Sequence, residues 1–370
     1  MAHLNYLSLW NFRNYSKATI PLSPKINLFV GQNGQGKTNC LEAIALLISG
    51  KSFRTAFLKE LVLHQEHFFS IQAHFTRHGI EQSLRLNYSP QKKQMQHNET
   101  VYSGFAPLIG LMQGVFFSGF QNQLIKGAPN LRRRFLDLQS AQIDPLYLHH
   151  LRRYQQALKE RNVLLRARKE RGLELYEELM SLSAPYLIEQ RMIALSELEQ
   201  LAQIKHQELT GQKECFKIVY QMHATFSKPP TNDEFLKALK THRQKDLRMG
   251  FTSLGPHKDD ILFYLKDYEA KKYASEGQIQ SLITSLYLSE YQRLLNKSNE
   301  TPLFCVDDIG QNLDGDRLQK LYHLLDQMGQ VFITTPKLPD YSFKGPVQIF
   351  EIHDGEIRLL SQKRKSLSSV

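Results

Sequence analysis

The stretch INLFVGQNGQGKTNCLEAIALLISG, residues 26–50, changes character twice. A β-branched and aromatic run ends in a glycine-rich loop, the loop closes on Lys37 and Thr38, and an amphipathic segment with Leu41, Ile44, Ala45 and Ile48 on one face follows. The order predicts strand, loop, helix. Gly31, Gly36, Lys37 and Thr38 fill the pattern G-x-x-x-x-G-K-S/T. In such a loop the backbone N–H groups wrap a triphosphate, the lysine reaches the β/γ oxygens and the hydroxyl binds Mg²⁺. A helix starting at Thr38 adds a dipole that favours an anion, and Gly50 is placed to end it. Gln32, Asn33, Gly34, Gln35 and Asn39 are nucleotide-binding candidates with the loop.

With 370 residues, 41% of them hydrophobic, the chain can bury a full core, and its length predicts two or three domains. No apolar run approaches the ~20 residues of a membrane span, and MAHLNYLSLW lacks the charged start and apolar core of a secretory signal. Cys40, Cys215 and Cys305 form no metal or disulfide spacing, which predicts a reducing, cytoplasmic setting. A net charge of +11 points to a polyanionic partner. Residues 131–171 carry most of that excess, with eleven basic residues against four acidic ones. Arg132, Arg133, Arg134, Arg152, Arg153 and Arg161, all in this run, are the candidate contacts for such a partner.

The first third reads as strands around the loop, including a hairpin in FSIQAHFTRHGIEQSLRLNY that turns near His78-Gly79. From about Asp144 to Leu209 apolar residues recur at helical spacing. After KPPTNDEF, a linker by composition, strand-like runs return, the last being a hairpin with Asp354-Gly355 at its turn. Strands at both ends around a helical middle predict one discontinuous α/β domain, a mixed sheet with flanking helices, and an inserted, mainly helical second lobe. Residues 1–130 and 246–370 form the head in this reading, and 131–245 the basic arm.

Far from the loop stands PLFCVDDIGQNLD. A buried strand ending in Asp307-Asp308 has the Walker B arrangement: the first carboxylate holds the Mg²⁺ shell and the second polarises an attacking water. Upstream, in YASEGQIQSLITSLYLSEY, Ser275, Gly277 and Gln278 precede a helix. There they either cap it or cluster at its N-terminus to meet an anion. The order of loop, S-x-G-Q and Walker B is that of ABC-type heads.

NFRNY, GQNGQGKTN, KSFRT, KGAPNLRRRFLD, LGPHKDD, YASEGQ and the Asp-Asp pair together resemble the RecF family, DNA replication and repair ATPases related to SMC heads. The resemblance covers nearly the whole chain and is weakest over residues 175–245. It implies an ABC-type P-loop ATPase head with ATP and Mg²⁺ as cofactors, ATP-dependent homodimerisation, binding to gapped or junction DNA, and cooperation with RecR and RecO. By the same resemblance Gly31, Asn33, Gly34, Gly36, Lys37 and Thr38 match the phosphate loop, Asp307 the Mg²⁺ carboxylate and Asp308 the catalytic one. Ser275, Gly277 and Gln278 match a signature that faces the γ-phosphate of the opposite subunit, and Asp314 the D-loop aspartate. Arg13, Asn14 and Arg54 look like nucleotide-side residues.

Departures from the family pattern are Gln280, where a basic residue is usual, and Gln311-Asn312, where a serine-glutamate pair is usual. The turn at Ser118 to Gln121 also differs, leaving Gln121 and Gln123 as the Q-loop candidates. These changes bear on hydrolysis rate and dimer strength more than on ATP binding. An ABC transporter ATPase would share the motif order but carry L-S-G-G-Q, whereas this chain has S-E-G-Q and a basic arm. A non-hydrolysing nucleic-acid-binding protein with a structural P-loop is the third alternative.

Overall fold

In the computed structural model, residues 2–118, 122–211, 214–222, 225–298, 300–309 and 313–363 are described. Alternating apolar residues bury Leu7, Leu9 and Phe12 of β1 (His3–Phe12). The chain reverses through Arg13, in left-handed backbone, into β2 (Tyr15–Pro21). Then come β3 (Ile26–Val30) and α1 (Lys37–Ser49), which ends on Gly50 in left-handed backbone with its N–H on Leu46 O. The strands β4 (Phe69–Arg77), β5 (Ile80–Tyr88), β6 (Lys93–His97) and β7 (Thr100–Tyr102) follow, and β8 (Gly114–Ser118) closes this part. The β4–β5 turn falls at His78-Gly79 as expected.

The middle of the chain supplies α2 (Asn122–Lys126), α3 (Pro129–Ile143), α4 (Pro145–Arg166), α5 (Leu173–Ser181) and α6 (Ala184–Thr210). After these come β9 (Phe216–Gln221), α7 (Asn232–Met249), β10 (Asp260–Leu265), β11 (Tyr268–Glu269) and α8 (Ala270–Tyr273). The last part holds α9 (Glu276–Lys297), β12 (Leu303–Asp307), α10 (Gly315–Asp326), β13 (Val331–Thr335), β14 (Val347–His353) and β15 (Glu356–Lys363).

Met1–Gln121, Lys205–Gln212 and Glu276–Val370 make one compact unit, Asn122–Ile204 and Lys213–Ser275 the other. In the first, an antiparallel sheet of order β2-β1-β4-β5-β6-β7 accompanies a sheet of order β15-β14-β3-β13-β12-β8. The second sheet is parallel from β14 to β8. Its inner strands β12 and β13 are buried throughout, so they read as unbroken apolar runs. Contrary to the one-faced amphipathic pattern expected of it, α1 is buried from Cys40 to Ser49 on every side. It packs against β12 and β13 of one sheet and β4 and β5 of the other, and a helix held between two sheets must be apolar all round.

The second unit extends past the arm boundary expected at residue 245. β10 pairs antiparallel with β9 and packs on α3, which draws residues 246–275 into this unit and out of the head. Residues 232–249, the first four of which fall in the stretch KPPTNDEF read from composition as a linker, form α7. Thr231 caps it: its hydroxyl accepts from Glu234 N–H while the Glu234 carboxylate accepts from Thr231 N–H.

Two of the quoted motifs meet inside this unit. Arg132 of α3 grips Asp260 at 2.7 and 3.0 Å, and Arg133 reaches Asp259 O. Arg191 of α6 donates to Pro256 O at 2.7 Å while also pairing with Asp137. KGAPNLRRRFLD and LGPHKDD are therefore two sides of one polar core.

Candidate nucleotide site

The parallel strands β3, β13 and β12 present their C-terminal ends along one sheet edge, where ligands of open α/β sheets bind. The glycine loop leaves β3 there. Gly36 stands at φ 116°, just before α1, and a Cβ on it would lie 2.7 to 2.9 Å from Asn14 and Tyr15 side-chain atoms. Any side chain there would be strained and would push the Asn14 and Tyr15 side chains aside.

Inside the loop Lys37 is 4% exposed. Its ammonium donates to Gly31 O at 2.7 Å and Gln32 O at 2.9 Å, and lies 3.5 Å from Asn33 Oδ1. Burial lowers its pKa, against the raising fields of Asp308 and Asp307. A desolvated cation ringed by carbonyl oxygens and backbone turns is suited to meet phosphate.

One residue on, the Thr38 hydroxyl donates to Asp307 Oδ1 at 2.8 Å. Asp307 is 6% exposed, and burial pushes its carboxyl up from the usual range, opposed by hydrogen bonds from Thr334 and Thr38. The hydroxyl and carboxylate form an oxygen pair of the hard type that Mg²⁺ takes, in a pocket that disfavours a lone negative charge. Asp308 follows in left-handed backbone at φ 51°, an uncommon state for a non-glycine residue and one that clusters at functional sites.

Several supports of this geometry carry no motif. Thr334, at the end of β13, accepts from Asp308 N–H at 2.7 Å and donates to Asp307 Oδ1 at 2.7 Å, so one hydroxyl orients both aspartates. The Tyr15 hydroxyl donates to Gly36 O at 2.9 Å. Asn14 donates to Gln35 O at 2.9 Å and accepts from Asn39, while the β14–β15 turn donates Asp354 N–H to Gln35 Oε1. Glu42, fully buried one turn into α1, takes both Arg13 donors at 2.8 and 2.9 Å and the Ser52 hydroxyl, with Arg54 3.7 Å away. Arg54 also donates to Asn39 Oδ1 at 2.8 Å. Of the three nucleotide-side candidates, Asn14 and Arg54 border the loop through Asn39, and Arg13 is turned onto Glu42. A charged residue inside an apolar helix was the signal for Glu42.

Ser275 is exposed immediately before α9, and Gly277 and Gln278 lie in its first turn, half-buried. Asp314 caps α10, accepting from Arg317 N–H at 2.9 Å. Gln280 is buried on α9, and Gln123 is exposed on α2 in the second unit. Gln121, Gln311 and Asn312 lie outside the described residues.

The candidate DNA contacts separate. Arg161 is fully buried, paired with Asp246 at 2.7 Å and Glu177 at 3.0 Å, and Arg132 is 3% exposed in its bond to Asp260. Both are internal ion-pair partners, a correction to their reading as surface contacts. Arg133 is half-buried on Asp259 O, and Arg153, also half-buried, donates to Ser183 Oγ and Leu182 O. Arg134 and Arg152 are exposed.

Comparison with known proteins agrees with this layout. The family model for the RecF/RecN/SMC N-terminal domain matches residues 3–343. A Protochlamydia amoebophila protein described as DNA replication and repair protein RecF is 39% identical over 343 residues, covering 91% of this chain and 96% of the relative. A Chlamydia caviae protein of the same description is 35% identical over 357 residues, covering 96% and 97%. A solved structure of the recombination mediator protein RecF with ATP, of the RecFOR pathway, superimposes with TM-score 0.89 at 28% identity over 97% of this chain and 98% of that one. An Smc head domain from Pyrococcus furiosus shares the fold, with TM-score 0.57 at 14% identity. Agreement of that extent, reaching from the first strand through both carboxylates, shows that the chain belongs to the RecF family.

Proposed function

We propose that the chain is an ATP-dependent DNA-binding protein of recombinational repair and replication restart, which dimerises on ATP at gapped or junction DNA and hydrolyses ATP to release it. The observation that carries this reading is the Thr38–Asp307 hydrogen bond. It brings the hydroxyl of the phosphate loop to the carboxylate of a strand 269 residues away, beside the buried Lys37 ammonium. Mg²⁺, held by Thr38 and Asp307, would neutralise charge on the β- and γ-phosphates. Lys37 binds the same phosphates, and Asp308 orients the attacking water. Ser275, Gly277 and Gln278, with Asp314, would serve the γ-phosphate of the second subunit. The descriptions of the relatives support DNA as partner, and the pathway named for the solved RecF supports RecR and RecO. The reading places the chain in the cytoplasm with the DNA; among the described residues no helix is long and apolar enough to cross a membrane.

Sedimentation with ATP, ADP and no nucleotide tests the switch. If ATP binds the dimer more tightly than the monomer, mass action requires it to drive association. Asp308→Asn should accumulate an ATP-bound dimer, Ser275→Arg should bind ATP yet stay monomeric, and Lys37→Ala should lose ATP affinity itself. A wild type that remains monomeric with saturating ATP, Mg²⁺ and DNA sinks the clamp.

A further inference from the structure

Two sets of cations in the second unit stand apart. Arg132, Arg161 and Arg191 are at most 3% exposed and direct their donors to Asp260, to Glu177 and Asp246, and to Asp137. A second set is exposed: Arg166 in the last turn of α4, Arg168, Lys169 and Arg171 in the turn to α5, and Lys245 and Arg248 near the end of α7. The segments that carry them meet at one end of the helices. A Cβ on Gly250, which caps α7, would lie 3.7 Å from Arg166 Cγ, and Arg243 reaches across from α7 to Glu174 at 2.8 Å and Glu170 at 3.7 Å.

Arg243 thereby occupies the acids of that end. None of the six forms an ion pair among the described residues. The ends of α4 and α7 favour cations there, but a helix dipole of about half a charge accounts for one or two, not six. Lys258 stands 4.7 Å over the Phe251 ring nearby, the ring being 37% exposed.

We propose that this end of the second unit, formed by the α4–α5 turn and the C-terminal half of α7, is the docking surface for the phosphates of duplex DNA. The proposal rests on the DNA-binding reading above and replaces Arg132 and Arg161 as its contacts. Duplex is favoured over single-stranded nucleic acid because one partly exposed ring is no stacking platform, whereas a dense cluster of unpaired cations matches the charge density of a double helix.

The test is the affinity of the full-length protein for blunt duplex, gapped duplex and a single-stranded oligonucleotide, titrated from 50 to 200 mM salt. The variants are the triple Arg166→Ser/Arg168→Ser/Lys169→Ser and, on the other element, the pair Lys245→Ser/Arg248→Ser. An unchanged urea midpoint verifies the fold of each. For duplex, the slope of log affinity against log salt should flatten by about 3 in the triple variant and about 2 in the pair, since each phosphate contact contributes roughly 0.9. Affinity at 150 mM salt should fall more than tenfold in the triple variant. Wild-type slopes in both variants overturn the surface while leaving the DNA-binding reading in place, as does a loss confined to the single strand. A wild type that binds no DNA overturns that reading itself.

Discussion

At the scale of single residues, the candidate nucleotide site is held by side chains that no motif names. Lys37, Thr38, Asp307 and Asp308 were legible because their spacing from glycines and strand ends is itself the signal. Thr334 and Tyr15 were not, because each acts across distances set only by the fold, and Glu42 announced itself only as a charge inside an apolar helix. Glu42 gives the sharpest expectation. It is fully buried and bonded bidentately by an arginine whose side chain is 19% exposed. Glu42→Gln should cost about 2–3 kcal/mol, below the usual loss for a wholly buried pair because water reaches Arg13. Urea denaturation reads the loss directly. ATP affinity, measured by equilibrium titration, should fall with it, since Arg13, Ser52 and Arg54 are all placed by the same carboxylate. A variant with wild-type midpoint and affinity would show that the β1–β2 turn is held by its backbone alone.

At the scale of elements, the helices and hairpins with strong local periodicity were readable, and those fixed by packing were not. Turns at His78-Gly79 and Asp354-Gly355 fell where the dipeptides put them. α7 was missed although Thr231-x-x-Glu234 is a capping signal, because prolines just before it made the stretch look like a linker. The segment from Thr252 to Asp260 belongs to the second unit through contacts invisible locally, and His257 is their titratable point. Its Nε2 lies 3.0 Å from Thr252 O, which only accepts, so Nε2 carries the proton and Nδ1 accepts from the Tyr154 hydroxyl at 2.7 Å. Burial pushes its pKa down to about 4, with Lys258, Arg133 and Arg191 disfavouring the imidazolium further. A depressed folded-state pKa stabilises fully above the unfolded value, about 6.5, and that contribution fades as pH falls towards 4. Unfolding free energy should drop by about 2 kcal/mol between pH 7 and 5 from this residue alone. Urea midpoints across that range should show the drop in the wild type and a flatter profile in His257→Gln. Equal profiles would mean that the ring finds water when charged.

At the scale of the whole molecule, the two-part organisation was legible in outline because a helical middle between strand-rich ends is a compositional fact. Its boundary was not, since β10 joins the helical part by pairing with β9 and by polar bonds to α3. The sheet order also decides what a fragment can do. β3, which carries the phosphate loop, has β13 on one side and β14 on the other, both from the last forty or so residues of the described chain. A fragment ending at residue 300 should therefore show neither ATP binding nor a cooperative unfolding transition of the first unit, as titration and thermal melting would reveal; retention of either would mean that β3 does not need these neighbours. The same pairing has a consequence during synthesis on the ribosome. Elongation at 5–20 residues per second leaves β3 without either neighbour for about 15–60 s while roughly 300 more residues are made. Through that interval the nascent apolar strand INLFV is an open edge. Its protection then falls to chaperones and to the early antiparallel sheet, and the capacity to hold a nucleotide arrives only once β13 and β14 have been made.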